Sequence, residues 1–185
     1  MLTQMLTEQQ ITDNRDRIIR LLQSTKRRGM DEVVKYLDDN GFFVVPSSLN
    51  RHHNWRGGLA QHALGVYDRL EKTGGELPEE SRIITSLLHD ICKARLYYYD
   101  NEGNLCQRDP SELHISGHGA RSVRLLENCG LELTEEEKGA IRWHMGGYNL
   151  DKSELRDFFR NKNNELWRLH YNADRYDASH NDKQP

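Results

Sequence analysis

A histidine and a carboxylate stand side by side at His89-Asp90, and four more residues of the same two types recur at intervals of about one helix. His62 lies 27 positions before His89, His118 lies 28 after Asp90, His144 lies 26 after His118, and Asp174 lies 30 after His144. Imidazole nitrogens and carboxylate oxygens in one set suit a divalent transition ion (Fe, Mn, Ni, Co or Zn) better than an all-oxygen Mg²⁺ or Ca²⁺ site. In a helical fold each interval accommodates a helix, a turn and the return, so five helices can each send a ligand to one cleft. Taken alone, the doublet also fits a hydrogen-bonded core histidine beside a solvated Asp.

The elements that must position these groups follow from apolar spacing. Ile83, Ile84, Leu87, Leu88 and Ile91 form a buried helical stripe, which predicts a core helix running through the doublet, with Lys93 on the same side as Asp90. Leu59, Ala63, Val66, Tyr67 and Leu70 give the helix of His62 its apolar face. Gly117 and Gly119 flank His118 and interrupt a helix predicted over 111–128, with Arg121 one turn after His118 and His114 one turn before it. Thr134-Glu135-Glu136-Glu137 is a capping box, so a helix starts there and carries Ala140, Ile141, His144 and Met145 inward. A final helix over about 164–178 presents Leu166, Leu169, His170, Ala173 and Asp174 on one side. Asp177, one turn on, is the alternative carboxylate.

Before these come two helices, about Thr7–Ser24 and Met30–Asp39, the second stopped by Asn40-Gly41. Phe42-Phe43-Val44-Val45 before Pro46 predicts an extended segment tucked against the bundle. The stretch Arg51 to Gly58 gathers His52, His53, Asn54 and Arg56 in a loop that either lies over whatever binds beside His62 or is simply solvated. Leu96 to Leu105 reads as a short β-hairpin whose tyrosines wall a cleft or cover the core. The tail from His180 to Pro185 is polar and predicted to fray.

The pattern of an early His, a His-Asp doublet, two further His and a late Asp resembles the HD-domain superfamily of metal-dependent phosphohydrolases. The resemblance covers roughly residues 52–178, with Cys92 where the commoner His-Asp-Ile-Gly-Lys run has Gly. It implies an all-α fold: a single helical bundle with a short β-hairpin insertion. Residues 1–185 form one domain in this reading, 1–45 contributing N-terminal helices and the extended segment and 52–178 the metal-binding core. The run His-His-Asn-Trp-Arg-Gly-Gly-Leu-Ala-Gln-His at 52–62 is similar to one branch of that superfamily that includes a bacterial 3′→5′ exoribonuclease.

The resemblance implies one or two divalent transition-metal ions. His62, His89, Asp90 and Asp174 would fill positions around one, with Asp90 bridging to a second held by His118 and His144. Two such ions activate water and clamp phosphoryl oxygens, which makes Asp90 and Lys93 the catalytic candidates. Lys93, His53, Arg56 and Arg121 are the candidate substrate-binding groups. The expected activity is hydrolysis of a nucleotide or dinucleotide phosphoester or phosphoanhydride. The alternatives are a metal-containing module that binds a nucleotide without turnover, and an exoribonuclease-related protein.

Composition sets the remaining bounds. The chain of 185 residues is 36% hydrophobic and 30% charged, with 29 acidic against 26 basic residues and a net charge of −3. That balance opposes a broad track for nucleic acid and favours a small phosphorylated substrate. Cys92, Cys106 and Cys129 are odd in number and unpaired in spacing, which predicts free thiols in a reducing compartment. With no signal pattern and no apolar run of membrane-spanning length, the expected location is the cytoplasm and no membrane partner is expected.

Overall fold

A computed structural model describes residues 6–108, 117–147 and 150–180. His114, the predicted start of its helix near Ser111 and the tail beyond His180 lie outside the described residues. Among these residues the chain forms eight α-helices and one two-stranded antiparallel hairpin, the all-α architecture that the sequence predicts.

Helix α1 (Glu8–Ser24) opens on a capping box: Thr7 Oγ1 accepts from Gln10 N–H, and Gln10 Oε1 accepts from Thr7 N–H. It buries Ile11, Ile18 and Leu22. Helix α2 (Met30–Asp39) ends at Asn40, and Gly41 takes φ +76°, a left-handed exit that glycine adopts without strain. This exit also explains a departure from the sequence reading. Residues 42–45 are not extended: Gly41 O accepts from both Val44 and Val45 N–H (3.0 and 3.1 Å), which curls them into a turn. The turn buries Phe42, Phe43 and Val45, and the carbonyls of Val44 and Val45 accept from Gly57 and Leu59 N–H, pinning the start of the next helix.

That helix, α3 (Gly58–Thr73), is the centre of the molecule. It packs on α1, on α4 (Glu79–Leu88) and on α8 (Glu165–His180). Leu59, Leu64, Ile83, Ile84, Leu87 and Leu88 belong to one core with residues of α1 and α2, whereas Val66 and Leu70 turn to a second core completed by Ala140, Leu166 and Ala173. Full burial of each large aliphatic side chain contributes about 1.5–3 kcal/mol. Helix α3 is therefore sandwiched, and His62 in its second turn is buried.

The chain does not remain α-helical through the doublet. Helix α4 stops at Leu88, His89 caps it, and Ile91–Arg95 form a single 3₁₀ turn after Asp90 leaves the helical region at φ −108°, ψ 15°. The apolar period continues to Ile91 because both segments face the same core, so periodicity alone hides the break. Strands β1 (Tyr97–Tyr99) and β2 (Leu105–Gln107) follow, with Tyr98 opposite Cys106. Tyr97 joins the core and Tyr98 is exposed.

Helix α5 (His118–Asn128) and helix α6 (Glu135–Arg142) come next, then α7 (Lys152–Asn161), which the sequence reading did not anticipate. The expected Thr134 capping box is present at α6. Its partner Glu137 is fully buried, accepting from Arg27 at both carboxylate oxygens and from Ser81 Oγ (2.8 Å), and so ties α6 to α4 and to the α1–α2 connection. Because α6 ends at Arg142 and the chain turns over 143–147, His144 points inward while Met145, expected inside, is 57% exposed. The three cysteines are free, and among the described residues no helix is long and apolar enough to cross a membrane.

Candidate metal centre

Five sequence segments bring their histidines and carboxylates to one end of the bundle. His62 comes from the second turn of α3, His89 and Asp90 from the break after α4, His118 from the first turn of α5, His144 from just past α6, and Asp174 from α8. Apart from His118, whose side chain is 22% exposed, these groups are buried. They form two lobes that share Asp90. In the first, His62 Nε2 lies 3.3 Å from His89 Nε2, 3.2 Å from Asp174 Oδ1 and 3.9 Å from Asp90 Oδ2, and His89 Nε2 lies 3.4 Å from the same Asp90 oxygen. In the second, His118 and His144 bring their Nε2 atoms to 2.9 Å, with Asp90 Oδ1 at 3.2 and 3.5 Å.

The other ring nitrogens explain why these particular atoms converge. His62 Nδ1–H donates to Asp177 Oδ2 (2.7 Å), His89 Nδ1–H to the Ser86 carbonyl (2.9 Å) and His144 Nδ1–H to the Ile141 carbonyl (2.7 Å). Each partner only accepts, so Nδ1 carries a proton and Nε2 is left with the lone pair when the ring is neutral. Lone pairs facing one another at 2.9–3.3 Å repel unless a cation or a proton lies between them. Asp90 Oδ1, although near two imidazoles, makes no hydrogen bond of proper geometry among the described residues. A divalent ion fits both lobes by this chemistry: each offers imidazole nitrogens and an ionised carboxylate, and in His62, His89 and His144 the competing nitrogen is already occupied.

The electrostatics agree. Burial alone would raise the Asp90 carboxyl, but Lys93, whose Nζ is 2.6 Å from Oδ2, together with His89 and His118 holds it well below the usual carboxylate range. Asp174 is buried too, yet its hydrogen bond with His62 keeps it ionised. For His62, burial opposes protonation, but the hydrogen bonds to Asp174 and Asp177 outweigh it and carry the imidazole up to about 9. Without an ion, then, a proton on His62 offsets part of the negative charge of the first lobe. Burial pushes His118 down to about 4, leaving it neutral.

Part of the chain is 30% identical over 115 residues to dihydroneopterin 2′,3′-cyclic phosphate phosphodiesterase of Methanocaldococcus jannaschii, an alignment that takes in 51% of this chain and 46% of that protein. The chain is a distant relative of a phosphodiesterase. It spans about half the length of that relative. No family model matches the chain, and no solved structure is significantly similar to it.

A cavity of about 290 Å³ opens onto the shared carboxylate, and Arg51, His52, Lys93, Tyr171 and Arg175 are among the residues that line it with Asp90, His118, His144 and Asp174. Of the substrate-binding candidates, Lys93 is there. His53 is not: it is buried behind His62 with Nε2 3.5 Å from Asp177 Oδ2, and burial pushes it down to about 4. Its backbone is left-handed (φ +51°), and only a glycine at 58 leaves room for its carbonyl. Arg56 pairs with Glu8 on α1, and Arg121 lines a different depression.

Three contributors were not read as part of the site from sequence. Asp177 was weighed as a substitute for Asp174, but both are present, one facing each nitrogen of His62. Gly65 on α3 is what lets the Asp177 carboxylate reach His62, since a β-carbon there would overlap it. His170 is wholly buried with its ring centroid 5.0 Å from that of His89, and among the described residues neither of its nitrogens has a hydrogen-bond partner. An i, i+4 spacing from His170 to Asp174 and an i, i+3 spacing from Asp174 to Asp177 were the available signals.

Proposed function

We propose that this chain is an HD-type metal-dependent phosphohydrolase that cleaves a phosphoester or phosphoanhydride of a small nucleotide-like molecule. The observation that carries the reading is the division of Asp90 between two histidine sets, one carboxylate oxygen toward His62 and His89 and the other toward His118 and His144. In this assignment His62, His89, Asp90 and Asp174 hold one ion, and Asp90, His118 and His144 hold a second. Bound there, divalent transition ions supply a water of lowered pKa and positive charge for phosphoryl oxygens.

The chain's own groups do the rest. Lys93 places an ammonium beside Asp90 at the cleft, where it both keeps the carboxylate ionised and offers charge to a phosphate. Arg51 and Arg175 sit in the same wall, and Tyr171, which accepts from Arg175 Nη1 (2.8 Å), offers an aromatic surface to a heterocycle. A cavity of this size suits one nucleotide-sized ligand better than a polymer. The relative's substrate makes 2′,3′-cyclic phosphates the first compounds to try.

The test is hydrolysis by protein reconstituted with Mn²⁺, Fe²⁺, Ni²⁺, Co²⁺ or Zn²⁺, offered 2′,3′-cyclic phosphates, nucleoside mono-, di- and triphosphates, dinucleoside polyphosphates and a labelled single-stranded RNA. Metal-dependent turnover of a small compound is expected. Shortening of RNA with no turnover of the small compounds would overturn the substrate class, and ion binding without turnover of anything would leave a binding module.

A further inference from the structure

The histidine pair in the loop before α3 places both of its rings against one metal ligand. His52 lines the metal cleft with its ring centroid 5.0 Å from that of His62, and His53 is buried on the inner side with its centroid 5.3 Å from the same ring. Consecutive side chains of an extended chain point to opposite faces, and the left-handed backbone at His53 (φ +51°) removes that divergence. A left-handed φ is strained for a residue with a β-carbon and persists only where the surroundings fix it. Here they do. The His53 carbonyl accepts from Ser47 N–H (3.0 Å) and fills the place that a β-carbon at residue 58 would need, while the ring lies 5.1 Å from that of Trp55, whose indole N–H donates to Gln61 Oε1 (2.8 Å) next to His62.

What the strained residue reaches is Asp177. His53 Nε2 lies 3.5 Å from Asp177 Oδ2, the same oxygen that accepts from His62 Nδ1–H at 2.7 Å, and all three side chains are only 1% exposed. An ionised carboxylate only accepts, so the His53 nitrogen that faces it carries a proton. At 3.5 Å the contact is electrostatic and not a strong hydrogen bond, yet in an interior of low dielectric it favours the ionised carboxylate and holds it beside His62. A chain of three groups results: His53 steadies Asp177, Asp177 orients His62, and His62 turns Nε2 to the first lobe.

We propose that His53 is a positioning residue of the first metal lobe, acting through Asp177 to fix the ring of His62 as a ligand. The inference rests on the two-lobe reading of the metal centre, and its test reads ion binding, not turnover: calorimetric titration of the ion-free full chain with Mn²⁺ or Zn²⁺. His53→Asn suits the left-handed backbone, but its amide ends where Nδ1 stood and does not face Asp177, whereas the amide of His53→Gln extends to the position of Nε2. His53→Asn should weaken one ion about tenfold and leave the other within about twofold, and His53→Gln should restore most of the loss. In an Asp177→Asn background, His53→Asn should add no further loss, because the path it acts through is already cut. Equal weakening of both ions, additive losses in the double variant, a Gln variant as weak as the Asn variant, or wild-type affinity in His53→Asn would each overturn the positioning role. No ion bound by the wild type would overturn the two-lobe reading and this inference with it.

Discussion

Gly65 and Asp177 are built for one another: the carboxylate of Asp177 occupies the space where any other residue at 65 would place its β-carbon. Helix α3 thus carries, three residues apart, both the imidazole of His62 and the gap that admits the acceptor orienting it. Gly65→Ala should push Asp177 off His62 Nδ1 and release the ring. Since removing a partner that orients a metal-bound histidine costs about 10–100-fold in metal affinity, a loss of that order is expected in the alanine variant. Titration with Mn²⁺ or Zn²⁺ checks it, and an unchanged affinity in a well-folded variant would refute the orienting role.

Asp90 and Lys93 touch, yet their variants should differ. Asp90→Ala removes the carboxylate common to both lobes and should abolish ion binding and turnover together. Lys93→Ala should retain the ions, measured by elemental analysis, while lowering kcat/KM by about 10²-fold or more through lost phosphate charge. Equal metal loss in both variants would rule out the role given to Lys93.

His118 and His144 approach each other in the second lobe, where His144 also lies beside His89 and Asp90. Replacing both with alanine should lower the stoichiometry from two ions to one and leave the lobe of His62, His89 and Asp174 filled. Full occupancy and full turnover in the double variant would return both residues to a structural role.

Ion uptake should be linked to protons with a definite sign. His62, carried up to about 9 in the ion-free protein, is an imidazolium at pH 7 and must lose its Nε2 proton to become a ligand. Affinity should therefore rise about tenfold per pH unit from this proton between pH 7 and 9, then level off. In the ion-free protein the same group contributes stability that is complete below its unfolded value of about 6.5 and is lost as pH rises through about 9. Calorimetry in buffers of different ionisation enthalpy reads the proton directly. Uptake at pH 7 with no proton released would contradict the assignment.

How much of this was legible in the sequence depended on distance along the chain. Residue type and one-per-helix spacing brought His62, His89, Asp90, His118, His144 and Asp174 forward, because each interval is a local statement about a helix and its return. The break at Asp90 was hidden by Ile91, which keeps the apolar period although the backbone has left the helix. Helix α7 carries a capping box at Asp151 and Glu154 but buries only Phe158, so its apolar pattern was too sparse to register. The function of Gly65 was invisible, since nothing near it in sequence announces a carboxylate arriving from α8. Arg56 and Arg121 show the limit of nearness in sequence: a basic residue close to a ligand along the chain can stand beside another group, as Arg56 does beside Glu8.

The pairing of His62 with Asp177 spans 115 positions. At about 5–20 residues per second, a ribosome takes on the order of ten seconds to travel between those codons. Throughout that interval α3 exists while the carboxylates of α8 do not, so a nascent chain exposes an incomplete imidazole cluster to whatever ions surround it. A chain stalled before that helix would lack both Asp174 and Asp177, the two carboxylates that face the nitrogens of His62, even if all four of the other segments had folded.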